Sequence, residues 1–233
     1  EKTLQDLQLD YLDLYMIHFP ISLKFVPFEE RYPPEWVNDP NSPEPKMIPS
    51  KIPLSDTWRA MELLKESGFI KHLGVCNYST GLLHDLMNYS KIKPEVLQIE
   101  SHPYLIQEKL IKLAKNYDLE VTAFSPLGSI SYEELGGAKE EESLIRNEKI
   151  VSIASDLDIT PAQLILSWAL NRGTSIVVKS IDENRMKENL DTLDIKLEQT
   201  TLDEISQLNI NKRYNDPGVF CEDAFNTFFP IYD

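Results

Sequence analysis

Along this chain, short apolar runs rich in β-branched and aromatic residues alternate with longer segments whose apolar residues recur three and four positions apart. The short runs predict strands at Tyr11–His18, Ile70–Cys76, Val96–Glu100, Leu119–Phe124 and Thr174–Lys179. The longer segments predict helices with recognisable ends. Ser55 caps a segment carrying Trp58, Met61 and Leu64, and Gly68 closes it. Leu82, Leu83, Leu86 and Met87 form a second stripe, and Leu110, Leu113 and Ala114 a third. The clearest helix is TPAQLILSWALNRG: Thr160 is the cap, Pro161 sits in the first turn, Gln163 completes a capping box and Gly173 follows the end. Thr201 and Glu204 predict another capping box.

Strands alternating with helices predict βα units and a parallel sheet. Such a sheet is either doubly wound or closed into a barrel. Doubly wound dinucleotide folds carry a G-x-G-x-x-G loop, and the chain has none, which favours the (β/α)8 TIM barrel. Five strand candidates fall short of a closed barrel, so the expectation is one domain over residues 1–233 that is truncated to about strands 4–8 with their helices.

The net charge of −15 argues against nucleic-acid and anionic-membrane surfaces, both of which need clustered Lys and Arg. Two cysteines, Cys76 and Cys221, cannot build a disulfide framework, so a reducing cytoplasm is the expected location. No apolar stretch approaches the roughly 20 residues that span a bilayer. The chain begins with Glu1 inside helix-like sequence, which suggests a beginning lost upstream. Residues 20–53 interrupt the alternation and hold nine of the fifteen prolines. An insertion after a barrel strand lies on the catalytic face, and Phe28, Tyr32 and Trp36 are costly to leave in water. An ordered pocket wall is therefore expected in preference to an acidic linker.

In a parallel barrel the C-terminal strand ends converge on one site. Those ends supply His18, then Cys76 and Asn77, Gln98 and Glu100, Phe124 and Ser125, and Lys179 and Ser180. Singly, each has an ordinary structural explanation; together they form a polar ring with one flat aromatic. The four histidines show no metal-ligand spacing, so no metal is predicted.

The segments YLDLYMIHFP, LGVCNYS, VLQIESHPYL, TAFSPLGS, VVKSIDENRMKEN and NKRYNDP resemble, in order, signatures of the aldo-keto reductase superfamily. HFP, FVPFEERYPP and RYNDP are most similar to its aldose and xylose reductase branch. The resemblance implies hydride transfer from a nicotinamide to a carbonyl, with a tyrosine protonating the developing alkoxide. It implies that His18 orients the substrate carbonyl and that Phe19 lines the pocket. Asn77 and Gln98 match holders of the nicotinamide carboxamide, and Cys76 stands where the family usually has Ser, a stronger hydrogen-bonding group. Phe124 matches the aromatic, commonly Tyr, on which the nicotinamide stacks, and Ser125 and Leu127 match the loop beside the pyrophosphate.

Lys179, Ser180, Arg185, Glu188 and Asn189 match the segment that binds the adenosine end. Two cations there suit a 2′-phosphate, so NADPH is expected ahead of NADH. Ile181 replaces the Asn frequent in the xylose reductase branch, a change that bears on cofactor preference. Asn215 matches a substrate-contacting position, and Phe220, Phe225, Phe228 and Phe229, in a tail over residues 211–233, are expected to close the pocket.

The family's proton-donating Tyr, its Lys and its Asp belong to the first three βα units. The resemblance therefore implies that about 100 residues precede this chain, at roughly 30 per unit. Tyr11 and Tyr15, expected inside a strand, are not candidates for the acid. The expected activity is NADPH-dependent reduction of aldehydes, aldoses or small ketones by a monomer or homodimer, nearly lost in the isolated chain. Two other readings stand beside it. One is a non-catalytic binding or structural protein, since lens crystallins and channel subunits resemble the family. The other, weaker, is a barrel glycosidase using Glu100 and a second carboxylate.

Overall fold

The computed structural model describes residues 2–133 and 136–232; the ends of the expected domain and tail, Glu1 and Asp233, lie outside the described residues. The chain divides into two units, residues 2–95 with 215–232, and residues 96–214.

In the first unit, α1 (Lys2–Leu7) leads to β1 (Leu12–Ile17), followed by α2 (Leu54–Glu66), β2 (Ile70–Cys76) and α3 (Thr80–Tyr89). β1 and β2 pair in parallel, from Leu12 opposite Ile70 to Ile17 opposite Val75. The predicted periodicities fix the buried faces: Trp58 and Met61 of α2, Leu73 and Val75 of β2, and Leu83 and Leu86 of α3 are all buried. Trp58 also donates its indole N–H to the Ile92 carbonyl at 3.0 Å, so the ring is buried without an orphan donor. α2 starts earlier than predicted. Pro53, at φ −60°, occupies the cap position, and Ser55 lies inside the first turn; proline's fixed torsion supplies the entry that a capping hydroxyl would otherwise stabilise. Gly68 closes α2 at φ 79°, a left-handed conformation that costs glycine nothing. Tyr11 falls just before β1, and Leu14 and Tyr15 are 37% and 38% exposed, so β1 is not the enclosed strand its composition suggested.

The proline-rich residues 20–53 form an ordered excursion of this unit. Backbone N–H groups of Lys24 and Ser50 donate to the carbonyls of Ile48 and Ser22, both at 2.8 Å, bracketing an isolated antiparallel bridge between Leu23 and Pro49. The Arg31 guanidinium donates to the Val37 and Asn38 carbonyls at 2.9 and 3.1 Å. Val37 and Met47 are buried inside it. The expectation for its aromatics holds only in part, since Phe28 and Tyr32 stay exposed beside Phe25.

The second unit runs β3 (Val96–Glu100), α4 (Glu108–Asn116), β4 (Glu120–Phe124), α5 (Ile130–Glu133), α6 (Glu148–Asp156), α7 (Pro161–Asn171), β5 (Ser175–Val177), α8 (Glu183–Asp191) and α9 (Gln199–Ser206). β4 pairs in parallel with β3 on one side, Val96 to Glu100 against Glu120 to Phe124, and with β5 on the other, ending at Phe124 opposite Val177. α6, α7 and α9 meet in an apolar cluster of Ile150, Leu164, Ile165, Trp168, Leu202 and Ile205. The predicted capping box of α7 forms in both directions: Gln163 N–H to Thr160 Oγ1 at 3.2 Å, and Thr160 N–H to Gln163 Oε1 at 3.1 Å. The second predicted box does not form. α9 begins at Gln199, with Glu198 in the cap position, so Thr201 already lies within the helix. Burial of Leu202 and Ile205 fixes the helix, and nothing breaks its extension backwards to Gln199. β5 is also shorter than predicted, which leaves Lys179 and Ser180 beyond its end.

Candidate functional site

In the first unit, the ends of β1 and β2 lie side by side. His18, one residue past β1, is exposed, and its ring lies 4.7 Å from that of Phe19. Phe19 meets Trp36 edge-on at 5.0 Å; Trp36 stacks on Phe225 at 5.8 Å and meets Phe220 edge-on at 5.6 Å. The proline-rich excursion and the tail helix Pro217–Phe225 thus supply an aromatic wall against the residue that follows His18. The tail contributes less than expected: Phe228 is 68% exposed and outside that wall, although Phe229 is half-buried.

Directly after β2, Cys76 and Asn77 are 3% and 2% exposed. Asn77 adopts φ 62°, a left-handed conformation that asparagine tolerates better than most residues. Its Nδ2 donates to the His18 carbonyl at 2.8 Å, and its Oδ1 accepts from the Tyr232 hydroxyl at 2.9 Å. One buried amide therefore joins both strand ends to the chain's tail. Cys76 Sγ lies 3.9 Å from Met16 Sδ, and burial pushes its thiol up to about 11, so it stays protonated at neutral pH. Asn215 is half-buried, next to Asp216, whose carboxylate caps the tail helix at the Gly218 N–H, 2.8 Å away.

In the second unit, Gln98 lies opposite Thr122 in mid-sheet, and Phe124 ends β4 between Glu100 and Val177; both are half-buried. Ser125 follows at φ 48°, with Oγ 2.9 Å from the Tyr132 hydroxyl, and Leu127 packs on the apolar cluster. Beyond β5, a groove of about 510 Å³ is lined by Ile176, Lys179, Ser180, Met186, Asn189 and Leu190, among others. Three of the five residues predicted for an adenosine end meet there. Arg185 and Glu188 do not line it. Both are exposed on α8, where the Arg185 N–H serves the Asp182 cap at 2.9 Å and the Glu188 carbonyl accepts from Gln163 Nε2 at 3.3 Å.

Glu100 does not face a site at all. It is fully buried, with Oε1 2.9 Å from His102 Nε2 and 2.8 Å from the Tyr214 N–H, and with Arg213 3.8 Å from Oε2. Held by these contacts and closed off from water, it cannot act as a glycosidase carboxylate.

The aldo/keto reductase family model matches residues 1–210. The chain belongs to the aldo/keto reductase family. It is 44% identical to the NAD(P)H-dependent D-xylose reductase of Kluyveromyces lactis, over 98% of this chain and 70% of that protein. It is 43% identical to the NADPH-dependent D-xylose reductase of Meyerozyma guilliermondii, over 93% of this chain and 68% of that protein. Among solved structures, the aldose reductase of Giardia lamblia matches with a TM-score of 0.79 and 32% identity, covering 100% of this chain and 71% of that one. The extent of these matches does not by itself show a missing N-terminal unit.

Within this family member, the strand-end rule brought together His18, Cys76 and Asn77 because β1 and β2 are parallel neighbours, and the resemblance added Phe19 beside His18. It missed Tyr232, which reaches Asn77 across 155 positions of sequence, and Tyr132, whose contact with Ser125 depends on the path of a loop. No local pattern marks either tyrosine.

Proposed function

We propose that this protein reduces the carbonyl of an aldehyde, aldose or small ketone to an alcohol, using NADPH ahead of NADH. The observation that carries the reading is the state of the Asn77 amide. A primary amide offers two donors and two acceptor positions. The His18 carbonyl and the Tyr232 hydroxyl take one of each. One N–H and one lone pair remain, the complement of a nicotinamide carboxamide. A groove with Lys179 and Ser180 on its wall suits the phosphate-bearing end in the same way, because a cation and a hydroxyl favour an anion in a chain of net charge −15. Gln98, Phe124, Ser125 and Leu127 are assigned to the cofactor with them, and Arg185 and Glu188 are left to the rim of α8.

When bound, the cofactor supplies the hydride. His18, exposed at the end of β1, orients the carbonyl oxygen, while Phe19, Trp36 and Asn215 shape the space around the substrate. The proton is assigned to no tyrosine described here. A phenolic acid needs a depressed pKa, and Tyr32, Tyr78, Tyr89 and Tyr214 are displaced the other way. Burial raises Tyr78, Tyr214 and Tyr89, the last to about 12, and the Asp6 carboxylate raises Tyr32. Hydride transfer by these residues alone therefore forgoes general acid help worth about 10²–10⁴-fold.

The test is a titration followed with NADPH fluorescence, then NADPH oxidation with D-xylose and simple aldehydes. Saturable binding with slow turnover is expected. Absence of NADPH binding would sink the reading, and rapid turnover would overturn the assignment of the proton alone. Binding with no turnover on any carbonyl would favour a non-catalytic member of the family.

A further inference from the structure

We infer that Tyr232 is a positioning residue for the cofactor amide, a role that rests on Asn77 gripping the nicotinamide. The two ends of the Asn77 side chain are held by different parts of the first unit. Nδ2 is tied to the carbonyl of His18 at the end of β1, and Oδ1 to the hydroxyl of Tyr232 near the end of the tail. The His18 carbonyl can only accept, so it decides which end of the amide is nitrogen. A single hydrogen bond still leaves the amide plane free to swing about that contact. The second bond removes this freedom and holds the remaining N–H and lone pair in one fixed direction.

The surroundings sharpen the point. Asn77 is 2% exposed, so an amide left half-satisfied there has little water to turn to. Its backbone is pinned at φ 62° at the strand end, which leaves side-chain rotation as its main freedom. Tyr232 is half-buried, and its segment is tied down upstream: the Asn226 side chain donates to the Pro45 carbonyl at 3.1 Å, and the Met47 N–H donates to Thr227 Oγ1 at 3.0 Å. The tail thus reaches Asn77 from a fixed platform built by the proline-rich excursion. A pre-oriented amide binds its partner without first losing rotational freedom, and that is where positioning adds affinity.

The experiment compares Tyr232→Phe with the unaltered protein for two ligands: NADPH, and adenosine 2′,5′-bisphosphate, which has no nicotinamide. Loss of one hydrogen bond should weaken NADPH by about 2- to 10-fold. Binding of the bisphosphate should not change. A purely structural role for the tail would weaken both ligands alike, so equal weakening overturns the inference. Unchanged or tighter NADPH binding overturns it as well, tighter binding marking the hydroxyl as an obstacle to be displaced. A cycle with Asn77→Ala keeps the test sound if the tail loosens: on that background, Tyr232→Phe should cost NADPH nothing more, and additive losses would refute the coupling. If the unaltered protein binds the bisphosphate but not NADPH, both this inference and the nicotinamide assignment of Asn77 fall. If it binds neither, the cofactor reading fails as a whole and takes this inference with it.

Discussion

Glu100 illustrates how one side chain changes meaning with its surroundings. In the sequence it is a strand-end carboxylate, a candidate for chemistry. In the fold it is a buried anchor that accepts the Tyr214 N–H and meets the His102 imidazole. Arg213 lies 3.8 Å away and offsets its charge. Replacing Glu100 with Gln preserves shape and removes charge, so the loss falls on hydrogen bonds that had a charged acceptor and on the arginine. A stability loss of about 2–3 kcal/mol is expected. Urea unfolding of E100Q checks it; an unchanged midpoint would mean that the network contributes nothing net. Cys76 gives the opposite lesson. Its family position suggests a hydrogen-bonding contact, yet burial keeps its thiol protonated against Met16.

At the scale of elements, α7 carries much of the second unit. Leu164, Ile165, Trp168 and Ala169 are all buried, and the Trp168 indole N–H is satisfied by Ser206 Oγ at 3.1 Å. The helix starts at a reciprocal capping box, where Thr160 satisfies the Gln163 N–H. T160A removes that acceptor and leaves the packed face intact. It should cost about 1 kcal/mol, readable as a lower thermal midpoint with unchanged helical circular dichroism. A much larger loss would show the cap to be essential for docking of the helix. The proline-rich excursion makes the complementary case: with little regular structure, it is ordered by backbone bonds across its two arms and by the buried pair Val37 and Met47.

For the whole molecule, electrostatics sets the solution behaviour. Thirty-eight acidic residues against twenty-three Lys and Arg give the net charge of −15, and the isoelectric point is about 4.7. Mutual repulsion opposes non-specific association near neutral pH and weakens as the carboxylates protonate. Exposed aromatics such as Phe25 and Phe28 are then free to associate. Turbidity should therefore peak near the isoelectric point in an acid titration. A clear solution through that range would mean that these aromatics are shielded in ways their exposure does not suggest.

Features that depend on neighbours along the chain were legible in the residues alone. The period of apolar residues placed every strand to within two residues at either end, and local hydrogen-bond chemistry located the start of α7 at Thr160. The strand pattern also brought His18 and Asn77 forward, because a parallel pair of strands must deliver its ends to one side. Start signals failed where a competing local option existed: Pro53 pre-empted Ser55, and α9 extended back past Thr201. Features that needed the packed chain involve partners far apart in sequence. Tyr232 meets Asn77, Glu100 turns inward, and Arg185 stays on the rim of its helix, because each outcome depends on which surfaces the packed chain leaves within hydrogen-bond reach or closes to water.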